Sequence, residues 1–308
     1  MTKKILVIGA SGFTGGALAR ALLADGHAVR CLARKPAGVA ELAALGCEIV
    51  PGDICDAASV QRALAGMDAV YVTIHTLSPQ PGSAADAGFM DVETAGMRNV
   101  VAGCRANGVR RILYITSFGV APNAKSLWLR ARWQIEQMLI HSGVDSTVLR
   151  PGQIVGRGGR GFEMMIGQAR SRFAIVMGDG KSKMRNIALS DLLYYLIGAL
   201  DEPGTYNKCY DVGDSEALTV NAMIDIVAEA LGRPHPAKIH IPAGLLGVLA
   251  PLIERLAKLP NGAVKGFVDG MKDDDAGDPL PIRAVLTRPP LPYRAAVAAA
   301  LKTPSKET

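Results

Sequence analysis

The segment Gly9-Ala10-Ser11-Gly12-Phe13-Thr14-Gly15 constrains this chain more than any other. Lys4-Ile5-Leu6-Val7-Ile8 precedes it, a short continuous apolar run that stops at glycine. Such a run reads as a central parallel strand, buried on both faces. Phe13–Ala24 follows and reads as a helix. The glycines therefore occupy a strand-to-helix turn at the spacing G-x-x-G-x-x-G.

Each glycine has a separate reason to be there. Gly9 permits the tight turn, Gly12 lets backbone N–H groups approach a ligand, and Gly15 lets the helix close on the strand. A helix N-terminus offers unpaired donors and the positive end of a dipole, which suits a pyrophosphate. Gly9, Ser11, Gly12, Phe13, Thr14 and Gly15 are thus the expected contacts of a dinucleotide. The next strand, Ala28–Leu32, leads into Ala33-Arg34-Lys35, where a carboxylate for the ribose hydroxyls would normally stand. Arg34 can instead clamp a 2′-phosphate, with Lys35 adding charge, so NADP(H) is favoured over NAD(H).

Alternation of strand and helix continues. Val39–Leu45 reads as a short helix, Cys47–Val50 as a strand, and Asp56 as the N-cap of a helix over Ala57–Ala65. Ala69–Ile74 is a fourth strand, Leu77–Ser83 a loop, and Ala87–Ala106 a long helix. Arg111–Thr116, a helix over Lys125–His141, and Ser146–Leu149 complete six strands. This order requires right-handed crossovers and helices on both faces. The expected fold is α/β, a Rossmann-type doubly wound parallel sheet with a small C-terminal substrate-capping region. The expected boundaries are 1–155 for the nucleotide-binding domain, 156–301 for the interleaved capping region, and 302–308 for a tail. Ala243–Ile253 reads as an amphipathic helix packed into the core, ahead of a surface for an apolar substrate or a membrane face, and the stretch Ala243–Leu259 could cap an apolar substrate pocket.

In its motifs the chain resembles the atypical and extended short-chain dehydrogenase/reductase superfamily. It is most similar to the group holding nitrogen-metabolite-repression regulators and the nucleotide-binding accessory subunit of respiratory complex I. The matching pieces are Gly9–Gly15, Gly52-Asp53, Thr116-Ser117, Leu149-Arg150-Pro151-Gly152 and Ser190-Asp191-Leu192. The resemblance implies that Asp53 and Ile54 hold the adenine. It implies that Thr73, Ile74 and His75 line the middle of the dinucleotide, and that Pro151, Gly152 and Ile154 flank the nicotinamide. Thr116 joins the cofactor contacts by the same resemblance.

Active members of that superfamily pair a serine with Tyr-x-x-x-Lys on the next helix, the tyrosine acting as general acid/base. Ser117 is present, but Trp128 stands where the tyrosine belongs and Arg132 where the lysine belongs. Indole cannot exchange a proton with a reacting oxygen at neutral pH. Arginine can bind ribose yet stays protonated. Three explanations stay open: a substitute acid, with His75 first; a substrate needing little acid assistance, such as a quinone or conjugated alkene; or NADP(H) binding without turnover. Ser117, His75 and Arg132 are therefore the catalytic candidates. The competing readings are an oxidoreductase with an unusual site and a non-catalytic regulator or accessory subunit; a nucleotide-sugar epimerase or dehydratase ranks below both, because those enzymes rely on the missing Tyr-x-x-x-Lys pair.

Composition narrows the partners. The 308 residues carry a net charge of +6, with Lys and Arg spread along the chain. No basic run or aromatic platform points to nucleic acid. The expected partner is a small-molecule substrate; the family resemblance implies in addition a homodimer, with the helices at Ala87–Ala106 and Lys125–His141 as candidate interface. The five cysteines include no C-x-x-C, and the five histidines lack ligand spacing, so no metal is expected. No apolar run is long enough to span a bilayer and no signal peptide is visible, which leads us to expect a cytoplasmic protein.

Overall fold

The computed structural model describes residues 2–74, 89–256, 264 and 277–303. Its contacts divide the chain into two units that exchange segments. The first comprises Met1–Thr116, Ala131–Leu149 and Leu193–Tyr210; the second comprises Ser117–Arg130, Arg150–Leu192 and Asp211–Thr308.

The first unit is built on a sheet of β1 (Lys4–Ile8), β2 (Ala28–Ala33), β3 (Glu48–Pro51), β4 (Ala69–Val72), β5 (Arg111–Ile115), β6 (Asp145–Pro151) and β10 (Lys208–Val212). The strand order is β10-β6-β5-β4-β1-β2-β3. The pairings β1/β2, β1/β4, β2/β3, β4/β5 and β5/β6 are all parallel. This is the doubly wound order expected, with one correction. The sheet has seven strands, because β10 arrives late in the chain and joins beside β6. Its sequence, KCYDV, carries too little apolar patterning to stand out.

The helices of this unit are α1 (Phe13–Ala24), α2 (Ala40–Ala44), α3 (Ala57–Leu64) and α4 (Phe89–Asn107), with most of α5 (Leu127–Ile140). Asp56 caps α3 as expected, accepting from Ala58 N at 3.1 Å and Ser59 N at 3.2 Å. The core gathers Leu6, Ile8, Val70, Val72, Ile112 and Tyr114 from the strands with Val60, Met97, Cys104 and Leu139 from the helices. Each such large side chain contributes about 1.5–3 kcal/mol by leaving water.

Arg111 opens β5 at a buried position. It donates to the carbonyls of Asp145, Ala199 and Leu200 and to the hydroxyls of Thr147 and Thr205. Its guanidinium also lies 4.3 Å from the Tyr206 ring centre. Burial pulls its pKa below the usual value, opposed by its neighbours, and the dense bonding offsets the cost of burying the charge.

In the second unit, β7 (Gln153–Val155), β9 (Lys183–Ala188) and β11 (Ala217–Thr219) form one sheet, and β8 (Phe173–Met177) pairs with β12 (Ala237–Ile241) in another. The remaining helices are α6 (Arg160–Arg170), α8 (Val220–Ala230), α9 (Ala243–Leu256), α10 (Leu280–Val285) and α11 (Tyr293–Lys302), with α7 (Leu189–Gly198) starting here and continuing into the first unit at Leu193. Phe162, Ile166, Met223, Val227 and Val297 centre a separate core. Asp191, in the Ser190-Asp191-Leu192 segment, is buried and straps the C-terminal chain. It accepts from Leu291 N at 2.8 Å and pairs with Arg288 at 3.2 Å.

The expected amphipathic helix at residue 243 forms. Leu245, Val248, Leu249 and Leu252 are exposed, while Ala250 and Glu254 are covered. Glu254 accepts from Val264 N at 2.8 Å. Among the described residues, no helix is long and apolar enough to cross a membrane. Cys31, Cys47 and Cys104 are buried free thiols; Cys55 is exposed.

Candidate functional site

The glycine turn is held by close backbone contact. Gly9 has φ +98°, and a Cβ there would come within 2.6 Å of Thr73 Oγ1. A Cβ on Gly15 would come within 2.3 Å of Gly9 O. A side chain at Gly15 would therefore push α1 off the end of β1, and one at Gly9 would press on Thr73 beyond β4. Gly12 N donates to Gly9 O at 2.9 Å and closes the turn.

Gly12 is the N-cap of α1, in extended conformation, with no side-chain cap and no acidic residue in the first turn. The donors at the start of α1 thus face no competing carboxylate. Ser11 and Gly12 are exposed, and Phe13 and Thr14 half-buried. This cradle fits the pyrophosphate of a dinucleotide.

Arg34 and Lys35 leave the end of β2 exposed. At the end of β3, Asp53 Oδ1 accepts from Cys55 N at 2.9 Å. Burial and then the Asp53 carboxylate push the Cys55 thiol up, while the Arg34 charge opposes them. Arg34, Asp53 and Cys55 therefore form one group at the carboxyl ends of neighbouring strands. Cys55 has no sequence signal that marks it.

Ile54 turns its side chain into the core, leaving only its backbone toward the loop. Its carbonyl accepts from Asn99 Nδ2 at 2.9 Å, which ties α4 to this loop. Thr73 aims both N (2.9 Å) and Oγ1 (3.1 Å) at Ile8 O, so its hydroxyl braces the turn. Ile74 packs against the core. His75 lies outside the described residues.

The end of β5 carries a buried network. Arg132 on α5 pairs with Glu93 on α4 at 3.2 Å, the side chains being 0% and 2% exposed. Tyr114 donates to the same carboxylate. Burial and then the Glu93 charge push the Tyr114 phenol well above its usual value. Thr116 Oγ1 donates to buried Glu136 at 2.8 Å. The side chain at the lysine position is thus engaged with an acid inside the first unit. Sequence reasoning missed Glu93, although Glu93, Met97, Val100 and Cys104 share one helical face with that core. A carboxylate on an apolar face is the signal that finds it.

In the second unit, Ser117 is half-buried and its Oγ is enclosed without a hydrogen-bond partner. Phe118 N donates to Pro151 O at 3.3 Å, and Gly152 N to Val212 O at 3.2 Å. A Cβ on Gly152 would meet Arg185 O at 2.1 Å, so only glycine fits. Pro151 is buried; Ile154 is half-buried in register with Ile187. Trp128 is half-buried at the start of α5. Of the basic residues that follow, Arg185 donates to Asp214 O at 3.2 Å, while Lys181 and Lys183 are exposed.

A family model described as NAD(P)H-binding matches residues 9–179. A 2-alkyl-3-oxoalkanoate reductase of Stenotrophomonas maltophilia is 26% identical over 261 residues, covering 76% of this chain and 78% of that protein. A (4-alkanoyl-5-oxo-2,5-dihydrofuran-3-yl)methyl phosphate reductase of Streptomyces griseus is 28% identical over 295 residues, covering 94% and 95%. The crystal structure of an NADPH-dependent quinone oxidoreductase of Escherichia coli, complexed with NADPH, superposes with a TM-score of 0.75 at 20% identity, covering 97% of this chain and 100% of that one. That last likeness is one of fold.

Proposed function

We propose that this chain, which belongs to the NAD(P)H-binding family within the short-chain dehydrogenase/reductase superfamily, is an NADP(H)-dependent oxidoreductase of small, largely apolar carbonyl, enal or quinone substrates. The observation that carries the cofactor half is the uncapped glycine turn, followed by Arg34 where a carboxylate would select NAD(H). The reductase half is supported by the two curated relatives, both named as reductases and both matched over most of their length.

The N-terminal donors of α1 bind the pyrophosphate, and Arg34 binds the 2′-phosphate through charge-assisted hydrogen bonds. Asp53 and the backbone of Ile54 border the adenine, and Pro151, Gly152 and Ile154 the nicotinamide. When bound, the nicotinamide supplies the hydride. Ser117 Oγ, enclosed and without a partner, donates a hydrogen bond to the substrate oxygen. Trp128 offers no exchangeable acid, and Arg132 supports Glu93 and Tyr114 rather than moving a proton. His75 is the substitute proton donor where one is needed. Substrates whose reduction needs little acid help, quinones and conjugated enals, fit this donor set best.

The test follows NADPH oxidation spectrophotometrically with a naphthoquinone, an aromatic enal and a simple ketone. The expected order is quinone and enal above ketone. His75→Ala should lower ketone turnover by about a hundredfold or more, the usual worth of a positioned acid, and quinone and enal turnover far less. The second reading, an NADP(H)-binding regulator or accessory subunit, is favoured by Trp128 and by the engagement of Arg132. Tight NADPH binding with no oxidation by any acceptor would select it.

A further inference from the structure

The second unit buries a group of polar side chains that the proposed chemistry does not use. Asn186 on β9, Asp214 just after β10 and Tyr293 at the start of α11 are each 1% exposed. Asn186 Oδ1 and Nδ2, Asp214 Oδ2 and the Tyr293 hydroxyl are enclosed with no hydrogen-bond partner, and so is Gln153 Oε1 on β7. Buried polar atoms are nearly always satisfied, so a cluster of orphans calls for an occupant.

These groups belong together. Gln153 and Asn186 are direct partners across the β7/β9 ladder. Asp214 N donates to Asn186 O at 2.6 Å. Helix α11 packs on both β7 and β9, bringing Tyr293 to the same place. Burial and then the Asp214 charge raise the Tyr293 phenol, so the two side chains feel each other. The remaining charged neighbours of Asp214 are Arg185, donating to its carbonyl, and Glu216, whose N–H donates to Asp214 Oδ1 at 3.2 Å.

Donor and acceptor character decide what fits. Asn186 Nδ2 and Arg185 Nε are donors without partners, whereas Asp214 Oδ2, Asn186 Oδ1 and Gln153 Oε1 are acceptors. A cation would be repelled by the donors and an anion by the carboxylate. Water both donates and accepts, and it commonly satisfies such groups in threes or fours.

We propose that Gln153, Asn186, Asp214 and Tyr293 enclose a structural water site that joins the C-terminal helix to the β7/β9 sheet. It is independent of any reductase activity. Arg283 on α10 donates to Gly213 O at 2.7 Å, beside Asp214.

Two measurements on the full-length protein test it. A crystal structure that resolves ordered solvent should contain water within hydrogen-bond distance of Asp214 Oδ2, Asn186 and the Tyr293 hydroxyl. Thermal unfolding of Tyr293→Phe, which keeps the ring, should show a melting temperature roughly 2–4 °C lower, because the bond to water is lost. A dry enclosure would behave in the opposite way: removing an orphaned hydroxyl would leave the melting temperature unchanged or raise it. Empty density, or an unchanged or higher melting temperature, overturns the proposal.

Discussion

Arg111 and Asn186 are both buried polar side chains on strands, and their circumstances are opposite. Arg111, in the first unit, donates to carbonyls and hydroxyls from β6 and from the segment after α7. Asn186, in the second unit, has neither end of its amide engaged. The contrast recurs at the junction of the two units' segments. Thr116 donates to Glu136, while the next residue, Ser117, has an enclosed hydroxyl with no partner. The first unit spends its buried polar groups on holding itself together. The second does so at Asp191, yet among the described residues it also holds enclosed polar atoms without a hydrogen-bond partner, at Ser117 and Asn186.

Breaking the contrast on the satisfied side should cost most. Glu93→Ala strips Arg132 and Tyr114 of a shared acceptor and removes a buried carboxylate from the charge pair. We expect a loss of about 3–5 kcal/mol in urea unfolding. A loss below about 1 kcal/mol would mean the pair is not buried as described.

Asp214 gives the next largest effect, with the opposite sign. Burial pushes its carboxyl up to about 6, with hydrogen bonds from the Glu216 and Asn186 amides and the Arg185 charge opposing. Its folded pKa lies above the unfolded value. The folded chain therefore holds the proton longer, and the stability this group contributes is present at low pH and lost as pH rises through about 6. Asp214→Asn should flatten that slope and stabilise the protein at pH 7, by at most about 3 kcal/mol. A pH profile of melting temperature identical in both proteins would refute it.

The neighbours Thr116 and Ser117 sharpen the comparison at its smallest scale. Thr116→Val removes a hydrogen bond to a buried carboxylate and should cost about 2 kcal/mol. Ser117→Ala removes a hydroxyl without a hydrogen-bond partner among the described residues and should change stability by less than about 0.5 kcal/mol. It should nonetheless lower turnover. Equal destabilisation by both substitutions would erase the distinction.

What the sequence made readable follows from locality. The bounds of β1 and α1 coincide with the apolar run and the helix expected at Phe13–Ala24, because strand period and glycine spacing are local signals. Asp56 announced its helix for the same reason. The network of Glu93, Tyr114 and Arg132 comes from three elements far apart in sequence, and only the fold brings them together. Strand β10 escaped notice because a short strand beside β6 needs little apolar pattern of its own. The leucines of α9 were legible as a helix stripe, but a stripe does not say which way it faces. Of the candidate site, the glycine turn and Arg34 could be read from spacing. The orphaned atoms of the second unit could not, since being without a partner is a property of the packed chain.

The account rests on the turn at Gly9–Gly15 and on Arg34, and calorimetric titration with NADPH and NADH tests both at once. Wild-type protein should bind NADPH at least about tenfold more tightly than NADH, the worth of a charge-assisted bond to the 2′-phosphate. Arg34→Ala should abolish that preference while leaving NADH binding in place. Failure of the wild-type protein to bind either nucleotide would contradict the account.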